Sequence, residues 1–380
     1  MRSFDAVIAG AGLIGCSIAL ELAEAGLRVA ILDRQAPGKE ASWASAGILS
    51  PAPESTAMIP LVPLGKTSMM LYPAFIESVE DISGLSAGYR SKGTLNGILS
   101  AHAREELSTV VVLHRGLGLT AEPLSPGEAR ELEPALSEEL EAGVLRPDEA
   151  SVDNRALTNA VEEAARRKGV HVFADTSVEA IWSEGSRCLG LRAGGENIPA
   201  GQTVIAAGCF SAMIAGVSQY APVRPAKGQM ISLRCETVKI ERVLWSDDIY
   251  LVPRNDGRIL AGATVEYAGF DKTVTAGGVQ RLLAAAIDLV PGLAAARIEE
   301  TWAGLRPDTP DHLPILGPVD LEGLLFATGH FRSGVLLAPV TAKLIREWVT
   351  NKSLAADLGR FSPMRFQRTA SNPARFSATS

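Results

Sequence analysis

The sequence predicts an α/β protein in which a parallel βαβ layer is interleaved with an α+β layer built on an antiparallel sheet. Three observations predict it. Residues 4–33 read as strand, glycine turn, helix and second strand: FDAVIAGAGLIGCSIALELAEAGLRVAILD. Two later apolar strands, 202–207 and 324–327, also run into glycine turns at Gly208 and Gly329, so start, middle and end of the chain share one sheet. Between them, 86–144 and 223–300 carry antiparallel-looking strands and a hairpin signal at Asn255-Asp256-Gly257-Arg258. The first layer is therefore assigned to 1–85, 145–222 and 301–360, and the second to 86–144 and 223–300. Residues 361–380, rich in Ser, Arg and Pro, are expected to form a flexible tail.

The opening unit carries chemistry. Ala6 to Ala9 is an apolar run of strand length, and Gly10, Gly12 and Gly15 follow in G-x-G-x-x-G spacing. Gly10 permits the tight turn, Gly12 lets backbone approach a pyrophosphate, and Gly15 lets helix and sheet pack closely. Ile14, Ile18, Leu20 and Leu22 recur at roughly helical period, and Gly26 stops the helix. The helix N-terminus favours a pyrophosphate through its amides and its dipole. Asp33, 23 residues after Gly10 and at the end of the second strand, is placed to accept from ribose hydroxyls. Strand, turn, helix, strand and acid in register make this a dinucleotide-binding unit of Rossmann type.

Further along, Ala41 to Pro51 is a run of small residues around Trp43, able to lay backbone against a flat ring. Residues 52–63 are Pro-rich and read as irregular loop or lid, and 66–83 as a helix whose Met69, Met70, Leu71 and Phe75 read as core. Strands are expected at 89–99 and 117–124, flanking a helix over 102–113. Ser125 opens another helix through its capping pattern. Strand 143–148 precedes an amphipathic helix over 154–168, capped by Asp153 or Asn154. Strands follow at 170–174, 178–183, 188–193 and 202–207, the last opening a helix at Gly208. A strand near 223–233, the 249–253/259–264 hairpin, a helix over 276–289, a strand over 299–305 and a helix over 335–349 complete the reading.

Composition narrows the function classes. Formal net charge is −7, which argues against a nucleic-acid surface. No apolar run reaches membrane-spanning length uninterrupted, and the first strand leaves no room for a signal peptide, so a cytoplasmic, non-membrane protein is expected. Cys16, Cys188, Cys209 and Cys235 and the five histidines lack metal-ligand spacing, so no metal is expected.

GAGLIGCSIALELAEAGLRVAILD, ASWASAGILSP, TVIAAGCFS, DDIYLVPR, LAGATVEYAGFD, WAGLRPDTPDHLPILGP and GHFRSGVLLAP, in that order, resemble the FAD-dependent D-amino-acid and amine oxidase superfamily. Within it they look most like the glycine oxidases of thiamine biosynthesis. The resemblance implies a FAD-binding domain of the glutathione-reductase/D-amino-acid-oxidase type. By position, Gly10, Gly12, Leu13, Ile14 and Gly15 would hold the FAD pyrophosphate, with Asp33 on the ribose and Arg34 beside it. Ala41, Ser42, Ala46, Gly47 and Ile48 would line the isoalloxazine, Val178 would meet the adenine, and Gly208, which opens the turn of the middle strand, would join the cofactor site. His330, Phe331, Arg332, Ser333, Gly334, Val335 and Leu336 would bring amides and a helix N-terminus to the flavin. Arg306, Arg332 and Tyr250 match positions around the substrate carboxylate and amine. Covalent-flavin relatives use a Cys in the C-terminal third; none follows Cys235 here, so the FAD is expected to be non-covalent.

The resemblance implies oxidative deamination of glycine and related small amines (sarcosine, small D-amino acids). Hydride would pass to flavin N5, oxygen would be reduced to hydrogen peroxide, and the imine would hydrolyse to glyoxylate and ammonia or pass to thiazole synthase. A homo-oligomer is expected. The rival readings are a flavin dehydrogenase or oxidase of another N-substituted glycine or D-amino acid, a tRNA-modifying flavin domain, which the acidic balance disfavours, and a non-enzymatic FAD-binding assembly factor, which Arg306 and Tyr250 disfavour.

Overall fold

Alternation along the first strand, Phe4–Ala9, sets the architecture of its layer. Ala6 and Ile8 face one way, Val7 and Ala9 the other, and all four are fully buried. A strand buried on both faces belongs in the middle of a covered parallel sheet, and that is its place. The computed structural model, which describes residues 3–100, 102–352 and 358–367, orders the sheet as Ile315–Pro318, Leu324–Thr328, Glu196–Ile205, Phe4–Ala9, Val29–Leu32 and His171–Phe173. The four central pairings are parallel, and Ile315–Pro318 runs antiparallel at its edge. Helices Leu13–Glu24, Val62–Ser83, Asn154–Arg167 and Gly334–Asn351 pack together over the Ala6/Ile8 face. The Val7/Ala9 face meets Leu191, Ile214, Val217 and Tyr220.

The second sheet runs Arg297–Asp308, Arg224–Arg234, Arg258–Gly262, Tyr250–Pro253, Val243–Trp245, Thr94–Ile98, Ala142–Arg146 and Glu122–Leu124. Every pairing is antiparallel except that between Val243–Trp245 and Thr94–Ile98. Its outer face carries Leu95, Ile231, Leu233, Leu244 and Leu251, closed by Leu282, Ala286 and Leu289 of helix Ala276–Leu289. Its inner face carries Met230, Tyr250, Val252 and Trp302 and packs on Trp43, Ala44 and Ala46, the small-residue stretch that leaves the first layer. The two layers therefore meet across residues 41–48.

Most expected elements form, with informative differences. Helix 66–83 begins earlier, at Val62, because Pro63 sits in the first turn, where its missing N–H costs nothing. The expected strand 117–124 is only Glu122–Leu124, since the Leu117 and Leu119 amides close the preceding helix, Ala103–Gly116. Likewise 89–99 narrows to Thr94–Ile98, and Gly208 opens a single 3-10 stretch, Gly208–Met213. Val243–Trp245 and Ile315–Pro318 were not anticipated, being too short for any periodicity. The second sheet runs past the expected boundary at 300, because Arg297–Asp308 pairs along its length with Arg224–Arg234; Ala142–Arg146 likewise crosses the boundary at 144/145. The expected flexible tail is packed in its first part. Phe361 is buried, its carbonyl accepts from Leu316 N at 2.8 Å, and Arg365 bonds both Asp311 oxygens at 2.8 and 3.0 Å. Residues 368–380 lie outside the described residues.

The reciprocal cap at Ser125 offers a clean stability test. Its hydroxyl accepts from Glu128 N while Glu128 Oε2 accepts from Ser125 N, both at the surface. Ser125→Ala is expected to lower unfolding stability by about 1 kcal/mol, read as a shifted urea midpoint at constant m-value.

Candidate active site

The glycine turn behaves as its spacing demands. Gly10 has φ +105°, open chiefly to glycine, and a Cβ on Gly15 would lie 1.9 Å from the Gly10 carbonyl oxygen. Helix Leu13–Glu24 starts at Gly12 with no side-chain cap. The Leu13 amide donates to Ser42 Oγ at 2.9 Å, which ties the helix start to the small-residue loop. Asp33 accepts from Ala11 N at 2.7 Å and Gln35 N at 3.2 Å. Burial raises its pKa, and those two bonds and Arg34 oppose the rise. Arg34 itself is committed: it pairs with Glu40 and stacks over the Phe210 ring, 3.4 Å from its centroid. Val178 packs against the buried ends of the neighbouring strands.

Residues 41–48 form one turn of helix, Ala41–Ala44, and a short strand, Ile48–Leu49, paired with Ala150–Ser151. Their carbonyls point into protein, so each needs a donor. Asn154 Nδ2 supplies the Ser42 and Trp43 oxygens at 2.8 and 2.9 Å, and Trp302 Nε1 supplies Ala44 O at 3.0 Å. Arg254 reaches Ala46 O at 2.9 Å, Val152 O at 3.0 Å and Asn154 Oδ1 at 2.8 Å. Burial pulls the Arg254 pKa down to about 10, opposed by Asp153. The backbone is thus held in one shape from behind, leaving its other side open to a cavity.

The third wall is 328–336. Helix Gly334–Asn351 starts at Ser333 without a side-chain cap, and helix Val62–Ser83 pins its first turn: Tyr72 OH and Ser68 Oγ donate to the Val335 and Leu336 carbonyls, each at 2.5 Å. His330 is buried, bonds Thr341 Oγ1 at 3.1 Å, and has its pKa pushed by burial to about 3. It is therefore a neutral structural group at ordinary pH. Arg332 is paired with Glu54, and burial lowers its pKa.

The fourth wall is the inner face of the second sheet. Arg306 makes no ion pair with any carboxylate among the described residues; it donates to Thr264 O at 3.1 Å and lies across Gly228, where a Cβ would sit 2.3 Å from its Nη1. Tyr250 stands beside it. Burial raises the Tyr250 pKa, the Arg306 guanidinium opposes that, and its hydroxyl reaches Met230 Sδ at 3.3 Å.

The walls enclose a cavity of about 600 Å³. It brings together Leu13, Ile14, Ala41, Ser42, Ala46, Gly47, Ile48, Gly208, Tyr250, Arg306 and 330–336. Gly10, Gly12, Gly15, Asp33, Arg34 and Val178 do not line it; they lie at the glycine turn or beyond. Sequence reasoning did not find Arg254 and Asn154, which shape the loop, nor Asn96, His114, Arg146 and Trp245, which line the far wall. No motif marks a residue that acts only through backbone carbonyls or only by folding back across a sheet. The residues present fit a dinucleotide with a flat ring: two helix N-termini whose own N-cap residues supply no side-chain cap, a turn that favours glycine, an acid at a strand end, and a slot walled by small side chains. Among the described residues no cluster of His, Cys, Asp and Glu could hold a metal ion, and no helix is long and apolar enough to cross a membrane.

Comparison with known proteins agrees with this geometry. Residues 5–348 match the family described as DAO, FAD dependent oxidoreductase. A glycine oxidase of Geobacillus kaustophilus is 36% identical over 366 residues, 95% of this chain and 97% of that protein. The crystal structure of a glycine oxidase from the same organism superposes with TM-score 0.91 at 34% identity, covering 96% of this chain and 99% of that one. A bifunctional protein ThiO/ThiG of Synechocystis is 34% identical over 97% of this chain, which spans about half (55%) of that protein's length.

Two outcomes are expected. Arg254→Met should lose flavin on gel filtration where the parent chain keeps it, and Arg254→Lys should recover little, because an ammonium cannot span three separate acceptors. The second concerns pH. The folded pKa of His330, about 3, lies below its ordinary 6.5, so the unfolded chain takes up the proton first. Its contribution to stability is whole above about pH 6.5 and falls as pH drops, by at most about 1.4 kcal/mol per unit. Urea unfolding between pH 6.5 and 4.5 should show a shallower slope in His330→Gln than in the parent chain.

Proposed function

The chain belongs to the FAD dependent oxidoreductase family, and from that premise we propose that it is a FAD-dependent oxidase of small amino acids, glycine above all, with sarcosine and small D-amino acids as further substrates. The single observation that carries the substrate class is Arg306: a guanidinium on the cavity wall with no carboxylate partner among the described residues. A charged donor fork left open at a sheltered site calls for a carboxylate. Arg332, the other candidate, already has Glu54.

The turn at Gly10 to Gly15, with Asp33, would hold the nucleotide half of the cofactor, and the 41–48 and 330–336 walls its ring. Bound FAD supplies a two-electron acceptor for the hydride on the substrate α-carbon. The chain's own residues do the rest by position. Arg306 binds the carboxylate through two parallel bonds and so fixes where the α-carbon lies. Tyr250 closes one side with its hydroxyl and ring. Helix Gly334–Asn351 aims the positive end of its dipole at the cavity, favouring negative charge that develops there. His330, neutral and tied to Thr341, adds no titrating charge beside that helix start. No side-chain base is needed if the amine enters neutral, because the nitrogen lone pair drives hydride departure. The products would be an imine, hydrolysing to glyoxylate and ammonia, and hydrogen peroxide from oxygen. Transfer of the imine to a thiazole synthase is supported by the bifunctional relative, in which the matching region occupies about half of a longer chain. The cofactor should be non-covalent, since no Cys follows Cys235.

The decisive experiment mixes the holoprotein anaerobically with a panel of amines and follows flavin bleaching. Glycine and sarcosine are expected to bleach it and bulky L-amino acids are not; bleaching only by carboxylate-free amines overturns the substrate class. Acid precipitation should leave the yellow colour in solution. Arg306→Ala should retain FAD yet lose at least about 100-fold in kcat/KM, since two charge-assisted bonds of about 1.5–3 kcal/mol disappear. Arg306→Lys should recover part, and Tyr250→Phe should cost about 1 kcal/mol. Near-normal reduction of the Arg306→Ala holoprotein by glycine would mean that the anchor lies elsewhere.

A further inference from the structure

Three buried side-chain atoms without a hydrogen-bond partner among the described residues share one wall of the cavity: His114 Nδ1, Arg146 Nε and Trp245 Nε1. Buried polar atoms in native proteins are paired in the great majority, so three orphans side by side need an explanation. His114 is only 4% exposed.

Register places this wall relative to Arg306. Trp245 sits directly opposite Tyr250, their rings 5.2 Å apart, and Trp245 is opposite Asn96 on the next strand. Asn96 is opposite Val144, and Arg146 lies two residues further along that strand, on the same face. Tyr250, Trp245 and Asn96 thus form a row across two strand spacings, and Arg146 stands on the next strand, two residues off that row and about 16 Å from Tyr250 between backbones. Long side chains from both ends shorten that gap.

The groups on this wall are mostly donors. A guanidinium and an indole N–H only donate, Asn96 adds an amide, and His114, whose pKa burial pulls to about 4, is neutral with one donor and one acceptor. Arg146 makes no ion pair among the described residues. The buried acid nearest in effect, Glu149, is occupied by Ser50 Oγ at 2.5 Å and Thr94 Oγ1 at 2.6 Å, and burial raises its pKa against the opposing field of Arg146. Asp247 also lines the wall; burial raises its pKa first, then Glu106 and Asp248.

We propose that Asn96, His114, Arg146 and Trp245 form a second, carboxylate-binding subsite, so that the cavity takes an extended dicarboxylic amine, a glycine whose nitrogen carries an acidic tail. This rests on the reading of Arg306 as the anchor for the first carboxylate. One end of the molecule meets Arg306 beside Tyr250, the amine lies near Tyr250, and the tail runs obliquely past Trp245 and Asn96 so that the far acid meets Arg146. Glycine and sarcosine would leave the second subsite to water.

The test avoids turnover. Thioglycolates carry sulfur in place of the amine, so they bind without being oxidised. S-(carboxyalkyl)thioglycolates with tails of two to five carbons are titrated into the holoprotein, against S-alkyl analogues of equal length, following the visible spectrum of the bound flavin. At one tail length at least, the acid is expected to bind about tenfold tighter or more than its alkyl twin, the scale of one charge-assisted contact. Arg146→Leu should erase that ratio and Arg146→Lys restore part of it. Should Arg146→Leu fail to hold flavin, Trp245→Phe keeps a ring and removes only the N–H; it should reduce the ratio about fivefold. A ratio near one at every length overturns the subsite while leaving the Arg306 reading intact. A ratio that survives Arg146→Leu unchanged also overturns it. If neither series perturbs the spectrum, the Arg306 anchor and the second subsite fall together.

Discussion

The structure depends on how residues 41–48 are held between its two layers. This stretch carries buried carbonyls that no regular strand or helix satisfies, and a single buried carbonyl left without a donor costs about 1–3 kcal/mol. Arg254 and Asn154 meet that demand together: one side chain comes from the second sheet and one from the helix of the first layer, and they bond each other as well as the loop. Burying a guanidinium is itself costly and is tolerated only when its hydrogen bonds are filled; Arg254 fills three and has Asp153 at 3.8 Å. The loop, the sheet and the helix therefore cannot shift separately, and the cavity between them keeps its shape.

A fixed cavity makes the distribution of charge on its walls meaningful. Arginines around it fall into two groups. Arg34 has Glu40, Arg155 has Glu300 and the Trp43 ring, Arg332 has Glu54, and Arg254 has its carbonyls. Each of these is neutralised or saturated within the protein. Arg306 and Arg146 have no ion pair among the described residues, yet both line the cavity on the same face of the same sheet. Glycine makes the first of these possible: any side chain at Gly228 would occupy the space that Arg306 fills. The sheet is thus cleared at one end so that a charge can lie flat on it, which is a packing device with a binding consequence.

The glycine turn of the first layer was legible in the sequence because its physics is local. Gly10, Gly12, Gly15 and Asp33 sit within one supersecondary unit, and each has a backbone reason to be where it is. The cavity residues were legible only through resemblance, since Tyr250, Arg306 and 330–336 come from three distant segments whose meeting is decided by sheet order. The strand carrying Arg306 shows why domain boundaries were the weakest part. It looks like a strand leading into the C-terminal segment, but its partner along its whole length is Arg224–Arg234. Arg254 and Asn154 were invisible for a different reason: apart from their bond to each other, they act on main-chain oxygens, which leave no mark in the pattern of side chains. Phe361 and Arg365 were misread because a Ser- and Arg-rich composition outweighed one buried aromatic and one well-placed ion pair with Asp311.

The helix start at Gly334 joins these strands of reasoning. An uncapped N-terminus presents about half a positive charge, and it does so without a titrating group, because the neighbouring His330 is kept neutral by burial and held by Thr341. A protonated imidazole there would supply more charge, but it would come and go with pH and would tighten on a negative ring in ground state and transition state alike. A dipole fixed by Tyr72 and Ser68 through the first-turn carbonyls is constant. The helix start at Ser333 therefore sets a permanent positive end at the cavity wall, alongside the guanidinium charges of Arg306 and Arg146, which no carboxylate among the described residues pairs.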